Sequence, residues 1–174
     1  MPELRPITQK DAFAFIGEHH RHHDVPVGAL WWQAVHDEDG RVCGVAVTGR
    51  PVARRLDDGL TCEVTRLCTT GEDNACSMLY AASRKAGESK GFRRGVTYIL
   101  DSEYERRDPE TGKRIGGISL EAADYRYLGK TGGGSWDRKG RPRTDKASTE
   151  PKHRYGWGPW PEFDKQVAEL EAAE

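Results

Sequence analysis

Four of the chain's six histidines fall within five positions, in "HHRHHD": His19, His20, His22 and His23, followed by Asp24. At helical spacing, pairs of these imidazoles share a face. There they can hold a transition metal such as iron, or one can act as a base near neutral pH. At a helix C-terminus the same rings can instead hydrogen-bond the last free carbonyls. A second group sits in "LTCEVTRLCTT", where Glu63, Thr65 and Arg66 lie close together. A carboxylate there can take the proton from an attacking amine, or can be the ion-pair partner of Arg66 or a histidine. Asp101 and Ser102, with Glu103, follow the apolar run "RRGVTYIL". Open α/β sheets place ligands at such strand ends, although a plain turn uses the same residue types. Finally, "GGGSWDRKGRPRTDK" mixes glycine with Arg138, Lys139, Arg141, Arg143 and Lys146, and offers Trp136 as a stacking surface. Cations of this density neutralise phosphates, whereas a solvated loop would carry them for solubility alone.

The elements that must position these residues are legible from periodicity. "ITQKDAFAFIGEHH" predicts a helix with Thr8 as its N-cap. "GALWWQAVHDEDGRVCGVAVTGRPV" predicts a hairpin, with Asp39 and Gly40 supplying the positive φ angles of its turn. "LTCEVTRLCTT" alternates as a half-buried strand does. "NACSMLYAASRKAGESKG" then predicts a helix capped by Asp73 or Asn74 and ended by Gly91. "RRGVTYILD" is apolar enough for a central strand. A polar loop, a short helix "ISLEAADY" and a strand in "YRYLGKT" follow. The stretch from Asp137 to Pro161 shows little periodicity and reads as an ordered excursion or a flexible arm. "PEFDKQVAELEAAE" predicts a terminal helix. The order implies an α/β fold with a mixed central sheet flanked by helices. We read residues 1–135 as the main domain, and 136–174 as a basic, Gly/Pro-rich arm with an acidic helix packed on it or extending from it.

Charge narrows the partners only through its distribution. Lysine and arginine number 27 against 28 acids, yet nine basic residues face three acidic ones between Arg126 and Arg154. From Glu162 onward five acids face Lys165 alone. No apolar run approaches the roughly 20 residues of a membrane span, and "MPELRPITQKD" lacks the core of a secretory signal. The cysteines Cys43, Cys62, Cys68 and Cys76 form no CxxC pair. A cytoplasmic protein without a membrane partner is the expectation.

The element order resembles the GNAT acyltransferase fold. That resemblance implies an acetyl-CoA or other acyl-CoA donor, with Leu67, Cys68 and Thr69 offering strand backbone to the pantetheine. Gly71, Asn74, Ala75 and Ser77 would surround the pyrophosphate at a helix N-terminus. "TGEDNAC" departs from the usual GNAT loop, having one glycine and two acids. Across roughly residues 10 to 145 the chain further resembles the phage Mom-type DNA modification proteins. The matching stretches are "HHRHH", "GRVCGVAVTGRP", "EVTRL", "NACSMLYAA", "TYILDSE" and "GGISLEAADYRYLGKT". This second resemblance implies modification of the exocyclic amine of adenine in DNA, as protection against restriction. It implies roles for His22 and His23, and Arg66 among the nucleic-acid contacts. Both groups place a tyrosine where Leu120 stands here, so Ser119, Tyr125 or water would have to donate the proton.

Three functions follow as expectations. The first is a GNAT-like enzyme acting on a flipped adenine of duplex DNA, by carbamoylmethylation or acylation. The second is a GNAT N-acetyltransferase for a protein or small-molecule amine. The third is a non-catalytic nucleic-acid-binding protein on the same scaffold. A homodimer is compatible with each.

Overall fold

A computed structural model describes residues 1–20, 24–133 and 148–173. The first helix, α1 (Gln9–His19), starts where expected. The Thr8 hydroxyl accepts the Asp11 N–H at 3.1 Å, satisfying one of the amides that a helix start leaves bare. The hairpin consists of β2 (Trp31–His36) and β3 (Val42–Gly49). Only Gly40 takes a positive φ in its turn; Asp39 does not, and the Asp37 carboxylate accepts the Arg41 N–H at 2.8 Å instead. A short strand that the sequence does not announce, β1 (Glu3–Arg5), pairs with β2.

β4 (Thr61–Thr69), α2 (Ala75–Ser89) and β5 (Arg94–Leu100) follow as predicted. Asn74 is the N-cap of α2, but it sits in the left-handed region at φ 65° and its side chain caps nothing. Two one-turn helices come next, α3 (Asp101–Tyr104) and α4 (Ile118–Glu121), then β6 (Arg126–Thr131). The chain ends in α5 (Pro161–Glu171). The largest departure from the sequence reading is β7 (Lys152–Trp157). This strand lies inside the stretch that shows no periodicity, and it is inserted between β5 and β6. Residues 152–157 are therefore part of the main sheet.

The seven strands run in the order β1-β2-β3-β4-β5-β7-β6, antiparallel except for the β4–β5 pair. Adjacent residues of β3 explain the layering. Val45 and Val47 pack against Ala12, Phe15 and Ile16 of α1, whereas Ala46 packs against Ala75 and Leu79 of α2. The sheet thus separates α1 from α2. Ile16 and Leu79 are both fully buried, and each such side chain contributes about 1.5–3 kcal/mol of hydrophobic stabilisation. On the α2 face, Trp157 lies across Gly95, leaving no room for a β-carbon there.

Two irregularities set up the site. β4 and β5 pair at three positions only, Thr61↔Arg94, Cys62↔Gly95 and Glu63↔Val96. Beyond them the strands diverge, joined by one further bond from the Thr97 hydroxyl to the Val64 carbonyl at 3.0 Å. In addition, the β3–β4 register jumps from Val47↔Arg66 to Thr48↔Val64, leaving Thr65 as a bulge. The result is a wedge in the middle of the sheet, open to both faces.

Candidate active site

The wedge is the core of a cleft of about 920 Å³. Its floor is Glu63, the last residue of β4 to pair with β5. Glu63 is 6% exposed, and its carboxylate accepts the Val52 N–H at 2.9 Å. Burial holds its pKa above the ordinary carboxylate value. The Val52 N–H, Lys152 and Arg66 act in the opposite direction with smaller effect. A buried carboxyl poised in this way is suited to accepting a proton from a bound amine.

Past Glu63, one edge of β4 faces the wedge, and Leu67, Cys68 and Thr69 line it. Burial pushes the Cys68 thiol up to about 12, so it is a neutral wall and not a nucleophile at physiological pH. The edge leads to the first turn of α2. There Cys76 lines the cleft, its sulfur 3.6 Å from the Thr69 hydroxyl. Gly71 and Asn74 are exposed and do not line the cleft. The Ala75 side chain is packed into the core below, and the Ser77 hydroxyl donates to the Asn74 carbonyl at 2.9 Å. Glu72 and Asp73 are exposed to solvent. No side chain closes the start of α2 with a capping bond; the Ala75 N–H donates to the Glu72 carbonyl at 3.3 Å, which leaves the Cys76 and Ser77 amides to an anion.

The opposite wall comes from α4, where Ser119 and Leu120 line the cleft. Gly117 starts this turn at φ 81°, and a β-carbon there would lie 2.2 Å from the Tyr155 hydroxyl. Glycine therefore lets α4 approach the sheet. Leu120 is 1% exposed and belongs to the core beside Tyr80 and Tyr155. Tyr125 is also core: it is 3% exposed and donates to the Tyr80 carbonyl at 3.3 Å. Tyr125 does not line the cleft, so of the candidate proton donors Ser119 remains, with water.

On the other face, Arg66 is half-buried and bound to backbone. Its Nε donates to the Asp24 carbonyl at 2.8 Å and its Nη1 to the Thr65 carbonyl at 2.7 Å. Tyr98 and Lys152 complete this side, two residues that the sequence does not single out. Burial, followed by the Glu63 charge, raises the Tyr98 hydroxyl pKa. His19 and His20 reach the rim of the cleft at the end of α1. The His19 ring lies against Phe15 with centroids 4.3 Å apart, and the His20 N–H donates to the Ile16 carbonyl at 2.9 Å. Among the described residues neither belongs to a group of three metal-ligating side chains. His22 and His23 lie outside the described residues, as do Trp136, Arg138, Lys139, Arg141, Arg143 and Lys146.

Asp101 and Ser102 follow β5 as the sequence predicts, but they make local bonds and do not line the cleft. Asp101 contacts Lys130 Nζ at 2.8 Å and His153 Nε2 at 2.6 Å, which together hold its carboxylate below the ordinary range. Ser102 donates through its N–H and hydroxyl to Glu150 Oε1, at 3.2 and 2.8 Å. Asp101 is thus a structural anchor for α3 and β7.

No family model matches this chain, and no curated protein matches it. Solved structures do. An N-acetyltransferase from Staphylococcus aureus aligns at TM-score 0.59 and 12% identity, covering 91% of this chain and 98% of that one. A GNAT-family acetyltransferase from Streptococcus pneumoniae aligns at 0.57 and 11% identity, covering 90% and 99%. A Bacillus subtilis acetyltransferase crystallised with CoA aligns at 0.52 and 10% identity, covering 91% and 98%. The chain has the GNAT acetyltransferase fold.

Proposed function

We propose that this protein is an acyl-CoA-dependent N-acyltransferase, with acetyl-CoA as the first donor to test. The carrying observation is the wedge itself. It places the open backbone edge of Leu67–Thr69 and the uncapped start of α2 on one side of a buried carboxyl, Glu63. Bound acyl-CoA supplies a thioester carbonyl open to attack by an amine. The chain's residues then have separable tasks. The β4 edge and the first turn of α2 hold and orient the donor through backbone groups. Glu63 takes the proton released by the attacking nitrogen, and its Val52 N–H bond fixes the carboxylate in place. Ser119, at the α4 wall, is positioned to return a proton to the departing sulfur, directly or through water.

An acceptor that is a protein or small-molecule amine fits this reading better than adenine in DNA. The arginines and Trp136 expected to contact DNA lie outside the described residues, and the solved acetyltransferases with this fold say nothing about nucleobases. Neither His19 nor His20 joins a group of metal-ligating side chains among the described residues, and a metal is not part of the proposal. The test is direct. Acetyl-CoA should raise the melting temperature and, with a panel of amines, should be consumed with release of free thiol. Absence of both at millimolar donor would overturn the proposal. Mass analysis of nucleosides from DNA co-expressed with the protein separates the Mom-type reaction, which would appear as a modified adenine.

A further inference from the structure

The acceptor side of the cleft holds a lysine that proton removal does not require. Lys152 leaves β7 on the same face as Arg154, and the pairings Leu100↔Lys152 and Tyr98↔Arg154 bring it beside β5, past the last β4–β5 pair. It is half-buried and lines the cleft. Among the described residues its ammonium makes no ion pair; of the other acids that line the same cleft, Glu103 pairs with Arg106 and Glu150 accepts from Ser102. Arg66 is also without a carboxylate at contact distance, since its bonds run to backbone carbonyls. Lys152 is therefore a half-buried cation on the cleft wall with no carboxylate at contact distance among the described residues.

An unpaired lysine at this place has a consequence for the acceptor. A simple alkylamine arrives largely as an ammonium ion, and Lys152 and Arg66 disfavour it near Glu63. A substrate with its own anion cancels that repulsion and gives Lys152 the partner it lacks. The cleft, of about 920 Å³, must hold the reactive arm of the donor as well as the acceptor. We propose that the acceptor is a small amine carrying an anionic group, with its nitrogen at Glu63 and its anion on Lys152, which makes Lys152 a specificity-determining residue. This rests on the N-acyltransferase reading. Carboxylate and phosphate share the chemistry that Lys152 recognises, and they are distinguished by assay.

The experiment compares matched acceptors with acetyl-CoA as donor: 4-aminobutyrate against 1-aminobutane, and 2-aminoethyl phosphate against ethanolamine. The anionic member of at least one pair should be preferred, and which pair responds identifies the anion. In Lys152→Gln the KM of that anionic acceptor should rise by about 10- to 100-fold, the usual cost of losing a charge-assisted hydrogen bond. The KM of the member without the anion should not rise, because the repulsion from Lys152 is gone, and Lys152→Arg should restore most of the loss. An indirect effect of Lys152 through Glu63 would slow both members alike, so equal changes overturn the inference, as does equal use of both members by the wild type. Turnover of an adenine oligonucleotide with neither small pair accepted also overturns it. If acetyl-CoA neither binds nor reacts, the parent reading fails. Direct titration of the two anionic amines into wild type and Lys152→Gln by NMR then decides the anion site alone, and absence of a Lys152-dependent shift for both ends it.

Discussion

Glu63→Gln should make the protein slower and, at neutral pH, more stable. Glutamine is nearly isosteric, and its amide oxygen can keep the 2.9 Å bond from the Val52 N–H. What disappears is the basic oxygen, and loss of a general base costs about 10²–10⁴ in kcat/KM. The stability argument runs the other way. Because burial raises the folded-state pKa of Glu63 above its ordinary value of 4.5, the folded protein keeps a proton that the unfolded chain has already released in the window between the two values. Stability contributed by this group therefore falls as pH rises through that window, and the loss is complete above the folded pKa. Glutamine carries no such penalty. The melting temperature of Glu63→Gln relative to wild type should accordingly climb from pH 4 upward and level off, each kcal/mol appearing as about 2–4 °C in a chain of this size. Scanning calorimetry across pH 4–8, paired with thiol-release kinetics, reads both effects. The wild-type rate should also show an acid limb above the ordinary carboxylate range that the variant lacks. Retention of more than about a tenth of wild-type activity would remove Glu63 from the chemistry. A variant that melts lower at pH 8 would show that Arg66 and Lys152, not burial, govern the carboxylate.

Leu120→Ala should cost about 2–5 kcal/mol in urea denaturation, as for other buried leucines, and Leu120→Tyr about 1–3 kcal/mol from overpacking with no gain in turnover. Gly95→Ala would place a β-carbon 2.0 Å from Trp157 Nε1, so a loss of at least about 1–3 kcal/mol is expected by chemical denaturation. A neutral result would contradict the β5–β7 register. Cys76→Phe, which fills the cleft beside the first turn of α2, should abolish the CoA-induced rise in melting temperature while circular dichroism stays that of the wild type.

The parts of the fold legible in the sequence are those where one physical signal dominates. Phe15 and Ile16 mark the buried face of α1, and the run from Val96 to Leu100 marks a central strand. β7 escapes because its alternation pits His153, Tyr155 and Trp157 against Lys152, Arg154 and Gly156, a pattern that composition alone reads as a charged arm. Its positive residues are tolerated because Arg154 lies over the Trp160 ring at 5.6 Å and Lys152 opens into the cleft. The same cause hid part of the site. Glu63 stands out as an acid in an apolar strand, but Tyr98 looks like core and Lys152 like solvated surface, and only the sheet order brings them together. Asp101 and Ser102 show the converse. Their types and location suit chemistry, yet nearby partners on β6, on β7 and ahead of β7 claim them.

The sparse β4–β5 seam bears on how the molecule moves. Apart from three rungs and one hydroxyl, little main-chain ladder ties the blade β1–β4 to the blade β5–β7–β6. A donor lying along Leu67–Thr69 would act as a splint, linking two bodies that otherwise share a narrow hinge. Amide deuterium uptake should then drop on both blades together when CoA is added, including at β5 and β7 positions it never touches.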